Sequence, residues 1–388
     1  MNENLLTTEQ REARALARID LATGYPMLQP TPGLLEAWPL LNVHPKAELN
    51  SSSEGFEERI SRSLGRLLGV HDIYHDLTQL TFSGSVALQR AMVALQILAE
   101  SMECDGIELI VIEPCIDIYR SIAKELGISL VVIDRFAASE EKSWLEQVAD
   151  AAFDATLRGN FSALVIDTPS NPYGTILSWK ETDFLEATMS SSRGIIIYDY
   201  CFAIAGSQLL AQVPLTFQRP EAQCHWLAIW DTGKTFDLSG EKMAVIISSS
   251  SAVLWAVEKS LESIQVGYSL SSQAFFAKFL ESEFPEQMLG VLGRCVTENQ
   301  FALSESALAP RWREAMGGTF AVLEFDPEKK STEIRQWLLS TGVAVSSGAA
   351  FRALHRENPT FIRLSLARET QLFSEGLALV ETLAKELV

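Results

Sequence analysis

The sequence predicts an α/β protein: a large domain with a mostly parallel sheet covered by helices, and a smaller C-terminal α+β domain. Three observations predict it. Short β-branched runs recur through the middle of the chain, at 108–114, 129–136, 162–170, 194–200 and 225–231. Most are followed by a segment of helical periodicity, such as "YRSIAKELG" or "WKETDFLEATMSSS". Beyond about residue 275 the order changes, with long helical segments preceding short strands at "GGTFAVLEF" and "GVAVSS" and an amphipathic helix at the end. Apolar strands alternating with helices belong in a parallel sheet buried on both faces.

The elements follow in order. Residues 1–35 read as an N-terminal arm that packs on the small domain and the site, 36–275 as the large domain, and 276–388 as the small one. The opening "MNENLLTTEQREARALARIDL" carries acids and no apolar centre, so it does not read as a signal peptide. No apolar run approaches membrane-spanning length. In "LTFSGSVALQRAMVALQIL", Leu88, Ala91, Met92, Leu95 and Leu98 fall on one helical face.

Composition narrows the function. The chain has 388 residues, is 47% apolar and carries a formal net charge of −19. Such an acidic surface argues against nucleic acid or an anionic membrane as partner. The five cysteines form no CxxC pair, which fits a reduced, cytoplasmic protein. His71 and His75 have helical spacing, but Asp72 stands where the zinc-protease motif needs Glu, so no metal site is expected.

Lys234 lies in a Gly-Lys-Thr triplet. A nucleotide phosphate loop is excluded because the glycine it needs is Ala228, inside the apolar run "WLAIW". In open α/β sheets ligands bind beyond the carboxyl ends of the strands, and four features fall there. Ser83-Gly84-Ser85 opens a helix and offers free N–H groups to an anion, although Ser83 or Ser85 also serves as a plain cap. Asn171 sits in a sharp Asn-Pro-x-Gly turn. Asp199 ends an apolar strand and needs a cation, either a protonated ring nitrogen or an Arg or Lys elsewhere. Lys234 has apolar flanks, and a desolvated lysine becomes a nucleophile toward aldehydes. Together these describe a site for pyridoxal 5'-phosphate: Lys234 carries it, Asp199 holds its ring nitrogen, Asn171 its ring hydroxyl, and Ser83-Gly84-Ser85 its phosphate.

Along nearly its whole length the chain resembles the class I/II aminotransferase family, fold type I of the pyridoxal-phosphate enzymes. "IDLATGYPMLQPTP" is similar to the family's N-terminal segment, with Gly24 on the substrate side. "SNPYGT" resembles its turn, and "GKTFDLSGEK" its lysine motif, in which Lys242 would contact the phosphate. "GVAVSSGAAF" and "FIRLSLA" resemble its substrate motif, in which Arg363 would grip an α-carboxylate. The resemblance implies a homodimer with active sites at the interface.

The departures are specific. Lys242 replaces the usual Arg, and Asp231 the usual phosphate-binding Ser, so Thr232 or a shifted loop would supply that contact. Ile116 falls near the position of the aromatic that stacks on the ring, and Phe202 replaces a tyrosine that donates to the ring hydroxyl. The tyrosine that the partner subunit would supply is absent near "ELNSSSEG", with Tyr268 as a partial substitute. "DTGKTF…K" and "EP-x-x-D" resemble the divergent enzymes that cyclise hydroxylated arginine to capreomycidine or enduracididine. That likeness implies elimination and cyclisation of a guanidino amino acid, with Asp117, Asp237 and Glu9 as carboxylates toward the cation. Ordinary transamination uses the same Lys234, Asp199 and Arg363, and an inactive regulatory relative is the remote third reading.

Overall fold

The computed structural model describes residues 5–29, 33–41, 55–68, 75–136, 142–203, 224–236, 238, 241–262, 268–313, 317–352 and 360–386. Seven strands form the main sheet: β2 Thr78–Thr81, β3 Ile107–Glu113, β4 Ser129–Asp134, β5 Phe161–Asp167, β6 Ile195–Asp199, β7 His225–Asp231 and β8 Ala244–Ser248. A two-residue β1, Ile19–Asp20, precedes them. The sheet order is β2-β8-β7-β6-β5-β3-β4. Strands β4, β3, β5, β6 and β7 run parallel, and β8 is antiparallel to both of its neighbours. The sheet is therefore mostly parallel, with one reversed strand.

The strands are apolar because both faces are covered. Every residue of β5, β6 and β8 is buried, and the two faces lie in separate apolar clusters. Strand β4 is only partly buried, as befits a sheet edge. Covering helices begin where short polar side chains cap them. Ser143 with Glu146 and Ser178 with Glu181 form complete capping boxes, which start the helices Trp144–Leu157 and Trp179–Ser191.

A second, antiparallel sheet has the order β12-β13-β10-β9, from β9 Trp312–Arg313, β10 Phe320–Phe325, β12 Ser346–Ser347 and β13 Thr360–Ser365. Strand β11, Val343–Ala344, pairs in parallel with β1 and brings the N-terminal segment beside this sheet. A division between residues 275 and 276 falls inside the helix Leu270–Glu281. That helix packs on the helix Phe56–Leu68, and Arg59 donates two hydrogen bonds to Glu281, at 2.8 and 2.6 Å. No helix among the described residues is long and apolar enough to cross a membrane.

The five strands that pair in parallel, β3 to β7, each end in an acid: Glu113, Asp134, Asp167, Asp199 and Asp231. Two of these acids meet guanidinium groups, Glu113 from Arg120 and Asp134 from Arg352. The other three face the site.

Candidate active site

Lys234 lies in the one-turn helix Thr232–Thr235 directly after β7, and Asp231 caps that turn by accepting the Gly233 N–H at 2.7 Å. Its Nζ sits 3.5 Å from the centroid of the Tyr25 ring and 5.3 Å from that of Phe202. A Cβ on Gly24 would lie 3.7 Å from this Nζ and 3.5 Å from the Phe202 ring, so the missing side chain leaves room at the amine. Burial pushes the Lys234 ammonium down from its ordinary range, against the pull of Tyr25 and Asp231. An amine held in this way is readily neutral, and the neutral form is the nucleophile.

The segment that carries Gly24 and Tyr25 is fixed by Arg368. This fully buried guanidinium donates to the carbonyls of Asp20, Thr23 and Tyr25 at 2.6, 2.6 and 2.8 Å. Lys242 donates to the Tyr25 hydroxyl at 2.7 Å, so Tyr25 stands between the two lysines. The sequence reading passed over Tyr25 and Arg368. Their signals are adjacency: Tyr25 follows Gly24, and Arg368 follows "FIRLSLA".

Arg363 is fully buried on β13 between the rings of Phe320 and Phe351, 4.2 and 5.0 Å away. It donates to Asn171 Oδ1 at 2.7 Å, to Ser346 Oγ at 3.2 Å and to the Ala22 carbonyl. Its Nε is buried without a hydrogen-bond partner among the described residues. Burial, with Arg368 nearby, lowers the guanidinium to about 9. Asn171 is held in turn by its own N–H, which donates to Asp167 at 2.7 Å. Asp167 and Asp199 are register partners on β5 and β6, and burial with the nearby Asp199 charge raises the Asp167 carboxyl to about 8, against that bond.

Asp199 accepts the Tyr119 hydroxyl at 2.7 Å and the Cys201 N–H at 2.9 Å. Among the described residues no arginine or lysine pairs with it, which leaves lone pairs for a guest cation. Tyr119 was missed, although it lies in the "EPCIDIY" stretch searched for an aromatic. Phenylalanine at 119 would remove a hydrogen bond to a charged group, worth about 1.5–3 kcal/mol. Tyr119→Phe is expected to lower kcat by about 10- to 100-fold, measured by steady-state kinetics, with a melting curve to show that the fold persists.

Other predicted residues sit elsewhere. Ser83 is the N-cap of the helix Gly84–Ser101 and accepts the Val86 N–H, so the capping alternative describes its hydroxyl, while Ser85 is exposed. Ile116 is partly buried against two apolar clusters. The Thr232 hydroxyl, expected toward the phosphate and with one donor, donates to the Met243 carbonyl at 3.1 Å. Tyr268 donates to the Lys242 carbonyl at 2.7 Å. Asp237 and His71 lie outside the described residues.

Asp117 and Glu9, expected as acids for a cationic substrate, have partners within this chain. Asp117 accepts the Leu6 N–H at 3.1 Å and so caps the helix Leu5–Leu16. Glu9, 2% exposed, accepts from the Ser347 N–H and hydroxyl and lies 3.5 Å from Arg335. Both carboxylates dock the N-terminal helix. Burial raises Glu9 from 4.5 to about 7, although Arg335 pulls it down. Between those values the docked helix holds a proton that the free helix lacks. Docking is therefore favoured at low pH and weakens as pH rises through about 7, by on the order of 3 kcal/mol. Amide protection factors over residues 5–16 are expected to be higher near pH 6 than near pH 8, and Glu9→Gln is expected to remove the difference.

Lys234, the strand-end Asp199 and the buried Arg363 beside the turn Asn171 present the polar groups that pyridoxal phosphate and an amino acid need. The Arg363 Nε, without a partner among the described residues, and the glycine at position 24 beside Lys234 Nζ fit that cofactor and a carboxylate beside it. The chain belongs to the aminotransferase class I and II family, whose profile matches residues 90–375. It is 27% identical over 192 residues to a histidinol-phosphate aminotransferase of Synechococcus elongatus, covering 49% of this chain and 47% of that protein. The chain thus spans about half the length of the curated relatives it matches.

Solved structures share the fold at low identity. MppP soaked with its product 2-ketoarginine is 20% identical, covers 94% of this chain and 99% of its own, and has a TM-score of 0.73. Aspartate aminotransferase of Thermotoga maritima is 20% identical over 98% and 97% of the two chains, with a TM-score of 0.73. Substrate-bound BacF of Bacillus subtilis is 18% identical over 97% and 94%, with a TM-score of 0.76. The architecture is fold type I.

Proposed function

We propose that this chain is an aminotransferase, which moves the amino group of a small α-amino acid to a 2-oxo acid. The observation that carries this reading is the Arg363–Asn171 pair, with its unpaired Nε, set into the same site as Lys234. Bound pyridoxal phosphate supplies an aldehyde that captures the amino group and a ring that accepts the electrons left at Cα. Arg363 takes the α-carboxylate and fixes the Cα–H bond. Lys234 would remove the Cα proton and return it one atom away. Asp199, set by Tyr119 and Cys201, holds the ring nitrogen's proton. The apolar walls of Tyr25, Phe202 and Phe320 limit water at the amine.

A second reading keeps the same proton abstraction and adds loss of a side-chain hydroxyl and ring closure on a guanidino group. Phe202 favours it, because a ring hydroxyl without a tyrosine donor changes how tightly the lysine linkage keeps its proton. The likeness to MppP, crystallised with an arginine-derived 2-oxo acid, agrees with it. Two of its three proposed cation ligands, Asp117 and Glu9, are engaged within the chain by Leu6 and Ser347, which weighs against it. A homodimer with the site at its interface belongs to the same proposal, and sedimentation tests it.

The deciding experiment is a half-reaction in heavy water with single amino acids, including arginine and 4-hydroxyarginine, and no 2-oxo acid. Stoichiometric conversion that stalls until a 2-oxo acid is added supports the aminotransferase. Continued turnover with loss of water, and deuterium at Cα and Cβ, overturns it for the second reading.

A further inference from the structure

The start of the helix Gly84–Ser101 is already occupied by an anion of this chain. Asp231, 4% exposed, accepts the Gly84 N–H with Oδ2 at 2.6 Å and the Gly233 N–H with Oδ1 at 2.7 Å. One carboxylate thus bridges the starts of two helices. The space is closed around it: a Cβ on Gly84 would lie 2.8 Å from Cys201 Sγ and 3.1 Å from Asp231 Oδ2. The same helix start is where a phosphate would gain most from free N–H groups and the helix dipole. A serine at 231 would donate to a phosphate. A carboxylate only accepts, so the two groups compete for one donor and repel each other. Nothing nearby offsets this through Thr232, whose hydroxyl serves Met243. Lys242 is a cation near this turn, and it is shared with Tyr25.

We propose that Asp231 is a resident competitor for the cofactor's phosphate, so that this chain holds pyridoxal phosphate more loosely, and exchanges it faster, than a version without that charge. The proposal rests on Lys234 being the cofactor-bearing residue. It assigns retention chiefly to the lysine linkage and Lys242, with the phosphate cup contributing little. Its particular consequence is poor discrimination between pyridoxal phosphate and pyridoxal, which differ only in the group that Asp231 opposes.

The test is equilibrium uptake of both aldehydes by the full chain, followed by the bound chromophore and by release after dilution. The wild type, Asp231→Ser and Asp231→Asn are compared, and the asparagine keeps size and an acceptor oxygen should the serine variant fold poorly. The expected result is about tenfold tighter binding and slower release of pyridoxal phosphate in both variants, the weight of one charge-assisted hydrogen bond, with pyridoxal binding unchanged. Unchanged or weaker pyridoxal phosphate binding in both variants overturns the proposal, as does an equal change for the two aldehydes. Uptake by none of the three proteins removes the assignment of Lys234, and the proposal with it.

Discussion

Lys234→Ala is expected to abolish the yellow lysine-bound chromophore and to lower turnover by about 10⁴-fold, the upper range for loss of a positioned proton-transfer group. The expectation rests on position and protonation together. Lys234 Nζ stands over the Tyr25 ring at 3.5 Å, opposite the gap left by Gly24, and burial favours its neutral form. No other lysine among the described residues approaches this space except Lys242, and its ammonium is hydrogen-bonded to Tyr25. The fold should survive the substitution. The turn that carries Lys234 is held by the Asp231 cap and by three Thr232–Met243 hydrogen bonds, none of which uses the lysine side chain. An absorbance spectrum and a melting curve of the variant decide the matter. A chromophore that persisted would place the covalent residue elsewhere.

Arg363→Lys is expected to lower kcat/KM for amino acids by about 10²–10³-fold, mostly through KM. Lysine keeps the charge but lacks the flat fork that meets a carboxylate with two parallel N–H bonds. In this chain one Nη is bound to Asn171 and the other to Ser346 and Ala22, so the unpaired Nε marks the edge offered to a guest. Lysine would also leave at least one of those acceptors without a donor, so some stability is lost too. Amino-acid amides separate the two effects. They lack the carboxylate, so wild type and variant should process them at similar kcat/KM if Arg363 acts on that group. An equal loss for acids and amides would make Arg363 a structural residue only.

Much of the fold was legible in local pattern. Runs such as "ALVID" and "IIIYD" are apolar because β5 and β6 are buried on both faces, and composition alone reports that. Lys234, Asn171, Gly24 and Arg363 were readable because each sits in a short motif whose spacing is set by one turn or one strand. The strand-end acid was a weaker criterion. It pointed to Asp199, yet five parallel strands end in acids, and only their partners distinguish them. Tyr119 and Tyr25 were hidden because a tyrosine in an apolar stretch looks the same whether its hydroxyl is used or not.

The sequence by itself determined the alternation of strands and helices, the order of the motifs and hence the class of chemistry. These are properties of neighbouring residues, and neighbours are fixed by the chain. Only the tertiary structure decided which donor each buried polar group meets. Asp231 meets Gly84 across 147 residues, Asn171 meets Arg363 across 192, and Glu9 meets Ser347 across 338. A buried carboxylate takes whichever donor packing delivers, because leaving it unpaired costs more than any local preference. That choice gave Glu9 the donors of Ser347, Asp117 the Leu6 N–H, and Asp231 the Gly84 N–H.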